Sequence, residues 1–271
     1  MRKIALALLC LAAASCATAP SAPPPSSTPP PWSSPPTAEI LSDPSRLTWA
    51  RLERMDWPEP QTTYQGYNAR VRNAAWGEVY ARGGVELYCR DRFTAADSQA
   101  RRVNDIALTL EHAYPAIIAA RFFGFADRDC EEQALARADA DKCLAATSDL
   151  HNLWPAYGPL NSSHGDSPYG ELPGEQYRRF TEYCPDFERG TGNAPDLVDP
   201  TDAARGDLAR AILYMHYVYG LPFDEAVDDP EHLLSWANDD PVDAAETRRE
   251  NEIERLQPGT RNPLIGESGV S

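Results

Sequence analysis

The segment Ser148-Asp149-Leu150-His151-Asn152-Leu153-Trp154-Pro155, running on to Leu160-Asn161, constrains this chain more than any other. Its counterpart lies upstream, in Leu110-Glu111-His112-Ala113-Tyr114-Pro115. Together they set a carboxylate, two imidazoles and two carboxamides in two compact patches joined by a polar excursion. A glutamate oxygen and an asparagine oxygen suit a hard divalent cation such as Mg²⁺, which takes oxygen ligands and keeps several waters. A histidine beside such an ion can take a proton from water as general base. That is the inventory of metal-assisted hydrolysis.

The chain has 271 residues, enough for one sizeable domain with appendages. Its formal charge of -16 opposes a polyanionic partner, because affinity for nucleic acid comes from Lys and Arg that displace counterions. Screening shortens that repulsion to about 8 Å at physiological ionic strength. A local basic groove on an acidic body is therefore compatible with nucleic-acid chemistry.

At the N-terminus, Arg2 and Lys3 precede the apolar run Ile4 to Ala14, and Ala13-Ala14-Ser15-Cys16 follows. This reads as an export signal over residues 1–16, too short to span a bilayer as a helix. Small residues before Cys16 resemble a bacterial lipobox, so Cys16 is the candidate lipidation site and the expected location is the cell envelope, lipid-anchored, otherwise periplasmic or secreted. Residues 17–41 are rich in Pro and Ser and read as an extended tether. Residues 42–271 form the expected folded domain. Its four cysteines allow three connectivities, and the pairing expected is Cys130 with Cys143, both inside the excursion, leaving Cys89 with Cys184.

Within that domain, Ser42-Asp43-Pro44 is a helix start leading into Leu47 to Met55. Tyr67 to Ala81 has helical periodicity and Gly83-Gly84 should end it. Val85 to Cys89 and Ile106 to Leu110 read as strands, with one or two helices between Ala116 and Thr147. Ser162 to Pro168 is a loop or helix start. Thr201 can cap an amphipathic helix carrying Leu208, Ile212, Met215 and Tyr219 and closed by Gly220. Glu231 to Trp236 and Pro241 to Leu256 complete the helices. The fold class expected is α+β, mostly helical.

The motifs resemble the endonuclease I family, nonspecific secreted and periplasmic nucleases of the His-Me finger (ββα-metal) superfamily. Glu111-His112-Ala113-Tyr114-Pro115, Asp149 to Pro155 and Leu160-Asn161 stand in that family's order. The likeness continues through Ala204 to Ala211 and Tyr214-Met215, then Arg249 to Ile253, Gln257 and Arg261-Asn262-Pro263. It implies a small ββα-metal core, His112 as general base, and one Mg²⁺ held by Glu111 and Asn161, with Mn²⁺ or Ca²⁺ substituting in binding. It implies DNA, and RNA as a further substrate class, cut without sequence specificity by a monomer. It also implies an arginine on the scissile phosphate within the excursion, for which Arg128 and Arg137 are both candidates.

Where the family carries an arginine after the metal asparagine, this chain has His164, and Asp166 replaces a later asparagine. His164 is then either a solvated loop residue or a phosphate contact. Asp149, His151 and Asn152 are read as supports that tie the excursion to the strand. Arg205, Arg249 and Arg261 either reach the substrate or pair with acidic neighbours. The competing function is a catalytically weak surface lipoprotein that binds nucleic acid or a protein partner.

Overall fold

The computed structural model describes residues 46–130 and 137–266. The export signal with Cys16, the tether and the Ser42-Asp43-Pro44 helix start lie outside the described residues.

Helix α1 (Trp49–Leu52) begins after Thr48, whose hydroxyl accepts the Arg51 N–H, and is shorter than its sequence pattern suggests. Asn68 caps α2 (Ala69–Ala74) in the same way. The expected long helix does continue, but as a π turn over Ala75–Val79, in which Tyr80 N–H reaches back to the Ala75 carbonyl at 2.9 Å. Gly83 and Gly84 do not merely end it. They open strand β1 (Gly83–Val85), which pairs antiparallel with β2 (Arg92–Thr94). Gly83 has φ 88°, and a Cβ there would lie 2.1 Å from the Phe93 carbonyl oxygen, so only glycine fits the pairing. The strand expected over Val85 to Cys89 is correspondingly displaced toward its N-terminus.

Thr94 and Asp97 form a capping box for α3 (Ala95–Ala100). Strands β3 (Arg102–Val103) and β4 (Ile106–His112), then helices α4 (Ala116–Phe122) and α5 (Arg137–Thr147), follow. A 3₁₀ turn over Leu150–Asn152 delivers β5 (Leu153–Tyr157), and α6 (Gly158–His164) follows directly. Beyond lie β6 (Arg178–Phe180), β7 (Cys184–Arg189), β8 (Val198–Asp199), α7 (Asp202–Tyr219), α8 (Pro230–Asp239) and α9 (Ala244–Leu256). Three small antiparallel sheets, β1-β2, β3-β4-β5 and β6-β7-β8, sit among the helices, an α+β fold.

Helix α7 carries the core. Thirteen of its eighteen residues are buried, so it is enclosed on most sides where the sequence showed one apolar stripe. Burial of Arg210 is made tolerable by Glu246, at 2.7 Å, and Asp207. Gly220, at φ 72°, ends the helix as expected. The disulfides are Cys89–Cys184 and Cys130–Cys143. The second ties the loop after α4 to the middle of α5.

Candidate active site

Strand β4 places the first motif. It pairs with β5 in the register Leu110↔Pro155, Glu111↔Trp154 and His112↔Leu153. Pro155 is admissible there because β5 is the outer strand of its sheet. Successive side chains of a strand alternate, so Glu111 and His112 leave β4 on opposite sides.

Helix α6 meets the Glu111 side. Asn161 and His164, three residues apart, share one face of the helix. Asn161 donates through Nδ2 to the Leu110 carbonyl at 3.1 Å. This turns its amide so that Oδ1, which accepts no hydrogen bond among the described residues, is left as the ligand-capable atom. His164 Nδ1 lies 2.6 Å from Glu111 Oε1, both side chains being buried. The imidazole is stacked on Tyr169, ring centres 4.4 Å apart, and the Tyr169 hydroxyl bonds that of Tyr88 at 2.9 Å. Glu111 Oε2 is buried with no partner. Burial raises the Glu111 pKa and the His164 contact works against that rise.

His112 is half-buried, and its Nε2 lies 2.9 Å from the Thr147 carbonyl at the end of α5. That carbonyl is among those a helix C-terminus leaves unpaired. Since a carbonyl only accepts, Nε2 carries the proton of the neutral ring and Nδ1 holds the free lone pair. Tyr67 sits edge-on against the ring at 4.7 Å. Desolvation lowers the His112 pKa to about 4, the Thr147 bond opposing it and the Arg128 charge adding to it. The ring is therefore neutral near pH 7.

An orphaned buried carboxylate oxygen and a free amide oxygen on adjacent elements fit a hard cation, which prefers oxygen and completes its shell with water. Among the described residues no group of three or more His, Cys, Asp and Glu could hold a metal.

The other expected residues divide sharply. Asn152 holds the Tyr114 N–H at 2.6 Å and the Tyr114 carbonyl at 2.9 Å, pinning the chain just after the first motif. Asp149 and His151 are buried and bonded at 2.9 Å, with Glu250 on the far side of the imidazole at 3.3 Å. Burial alone would discharge His151, but the Glu250 and Asp149 carboxylates prevail and raise its pKa to about 9. His164, expected in a solvated loop or on a phosphate, is instead packed against Glu111, because α6 extends through it. Arg249, expected either at the substrate or paired with an acidic neighbour, is buried and has no acidic partner among the described residues. It donates to the Tyr80 hydroxyl and to the carbonyls of Leu150, His151 and Leu153, and lies 3.7 Å over Trp154. Arg205 is held by Asp199 and Asp202 at 2.8 and 2.9 Å, the acidic-neighbour alternative. Arg261 donates to Asn251 at 3.1 Å. Arg128 is exposed and its charge reaches both His112 and Tyr67. The Arg137 side chain lies outside the described residues.

Sequence reasoning missed Thr147, whose backbone oxygen does the work and so leaves no side-chain signal. It also missed Tyr67 and the arginines near it, Arg72 and Arg101, for which an arginine cluster in an acidic chain was the available sign.

A family model described as Endonuclease I matches residues 61–268. An Endonuclease-1 of Buchnera aphidicola subsp. Acyrthosiphon pisum (strain APS) is 33% identical over 120 residues, 44% of this chain and 44% of that one. An extracellular deoxyribonuclease of Aeromonas hydrophila is 29% identical over 218 residues, 79% of this chain and 85% of that one. An extracellular ribonuclease of Bacillus amyloliquefaciens is 30% identical over 140 residues, 44% of this chain and 43% of that one. The chain thus spans under half the length of two of these three relatives.

Proposed function

The chain belongs to the Endonuclease I family, and from that premise we propose that it is an exported nuclease hydrolysing phosphodiester bonds of DNA, and of RNA, without sequence preference. The observation that carries the reading is the His112–Thr147 bond, which fixes an imidazole on the strand residue next to Glu111, whose Oε2 has no partner.

In this reading Nδ1 of His112 accepts a proton from the attacking water. The Thr147 carbonyl holds the ring in the tautomer and orientation that leave Nδ1 free, and desolvation keeps it unprotonated at working pH. Glu111 and Asn161 would hold one Mg²⁺, with Mn²⁺ or Ca²⁺ able to replace it in binding. When bound, that ion supplies Lewis-acid stabilisation of charge developing on the phosphate and the leaving oxygen. His164 fixes the Glu111 carboxylate so that Oε2 stays presented. Arg128, whose charge acts on His112, would contact the scissile phosphate, with Arg137 the other candidate. Phosphoryl transfer asks little covalent chemistry of the protein, so positioning of this kind carries most of the rate.

Plasmid cleavage by the purified protein, with Mg²⁺ or EDTA, tests the proposal. His112→Ala should lower the rate by about 10²–10⁴-fold, the usual worth of a general base. Full activity in that variant removes His112 from its role. Binding without cutting under any divalent metal would favour the surface-binding lipoprotein instead. The same proposal puts a lipid on Cys16 of a monomer; partition of Cys16→Ser into detergent as completely as the parent would refute the anchor.

A further inference from the structure

We propose that Arg72, Arg101 and Arg128, ranged round Tyr67, form a phosphate track for the nucleic-acid strand on one side of the scissile bond, and that the groove beyond Arg101 carries that strand's next nucleotide. This rests on the nuclease reading of His112, in which Arg128 already meets the phosphate, and extends it to Arg72 and Arg101, which no motif contains.

The order of contacts sets the path. Tyr67 lies edge-on to His112 at 4.7 Å, and the Arg72 guanidinium lies 5.3 Å over the Tyr67 ring. Arg101 lies 5.8 Å over the neighbouring Trp76, and Arg70 stacks similarly on Tyr64 at 5.4 Å. A guanidinium laid on an aromatic face keeps its planar edge of N–H donors free, the edge that matches a phosphate in two parallel hydrogen bonds. Burial raises the Tyr67 phenol's pKa, the charges of Arg72, Arg128 and Arg101 oppose that rise, and the Glu111 charge adds to it.

Charge separates these arginines from others in the chain. Arg72, Arg101 and Arg128 are exposed, and none forms an ion pair with a carboxylate among the described residues. Arg90, Arg178, Arg205 and Arg210 are each matched by at least two oxygens of acidic side chains. In a chain with 41 acidic and 25 basic residues, three exposed arginines without an ion pair among the described residues are charges open to a phosphate, with Asp127 and Asp129 as the sequence neighbours of Arg128. Screening over about 8 Å limits a phosphate there to the charges nearest it.

Beyond Arg101 a groove of about 610 Å³ runs between the π turn and α3, edged by Asn73, Trp76, Gly77, Ser98, Gln99 and Arg101. Its size is that of ligand sites, about 300–1,000 Å³. No acidic side chain lines it. Trp76 offers it an aromatic ring, and Asn73 and Gln99 bring amides of the kind that meet a base edge.

Binding is measured by fluorescence anisotropy with a labelled single-stranded oligonucleotide in the His112→Ala background, across a salt series. Each phosphate contact contributes about 0.7 to the salt slope on a single strand, so the added triple change Arg72→Ala, Arg101→Ala and Arg128→Ala should flatten it by about 2. Three alanines at exposed positions should leave the thermal midpoint near the parent's. Arg179→Ala, which removes one positive charge from β6, should leave the slope as it was. Gln99→Glu, which puts a negative charge into the groove, should weaken binding several-fold. A triple variant with the parent's affinity and slope overturns the track, and unaltered affinity in Gln99→Glu overturns the groove. Cleavage by the unmodified protein is followed in parallel. If it cuts while the variants bind like their parent, this inference alone falls; if it neither cuts nor binds, the nuclease reading falls and takes the track with it.

Discussion

Two buried carboxylates in this molecule each touch the Nδ1 of a buried histidine, and they differ in everything else. Asp149 receives five hydrogen bonds: from His151 N–H, His151 Nδ1 and Gln257 on one oxygen, and from the Tyr214 and Tyr219 hydroxyls on the other. Burial pushes its pKa up, yet those donors, His151 foremost, bring it below the ordinary value. Glu111 receives His164 on Oε1, while Oε2 has no partner, and burial leaves its pKa raised. An unpaired polar atom in the interior costs roughly 1–3 kcal/mol, more for a charged group. The first pair is finished within the protein, and the second leaves an oxygen unsatisfied. Under the proposed function, the contrast is between a carboxylate that holds the fold and one that would take a ligand.

The sharpest test of that contrast is Asp149→Asn. Removing one charge from a buried pair should cost about 3–5 kcal/mol in denaturant unfolding. The folded fraction should still bind Mn²⁺ with the parent's affinity, and a loss of metal binding at unchanged stability would reverse the assignment. Next in size, His164→Ala should weaken Mn²⁺ binding by about 10–100-fold, as loss of a ligand's hydrogen-bonded support does. His164→Asn, which keeps a donor near the Nδ1 position, should restore most of it. Equal affinity in all three proteins by calorimetry would make His164 mere packing. The smallest effect is in pH. His151 has a folded pKa of about 9, above its unfolded value of about 6.5, so it stabilises the fold fully below the lower figure. That stability is lost as pH rises through the upper one. The thermal midpoint should therefore drop across that window, and a midpoint indifferent to it would mean that His151 is not charged in the fold.

Much of the site could be read from residue order because its chemistry is carried by side chains in short motifs. Glu111 and His112 do close a strand, Asn152 does pin a loop, and Cys130 does pair with Cys143. What escaped was carried by backbone or by distance. Thr147 contributes a carbonyl, which every residue owns. Tyr67 reaches His112 from 45 positions upstream, from the turn just before the Asn68 cap of α2. His164 looked like a loop residue because Ser, His, Gly and Asp follow Asn161, but three of those positions continue α6 and turn the imidazole inward. Arg249 resembled a surface charge within a highly charged helix, until five neighbours, one of them the face of Trp154, enclosed it.

Strand β5 has a further consequence. Along its outer border the Leu153 carbonyl accepts from Tyr80 and Arg249, the Pro155 carbonyl accepts Leu87 N–H, and Tyr157 N–H is taken by Glu86. Pro155 brings no amide hydrogen at all. A second molecule approaching that border meets no vacant rung to grasp, so crowding gives this edge no template along which to polymerise.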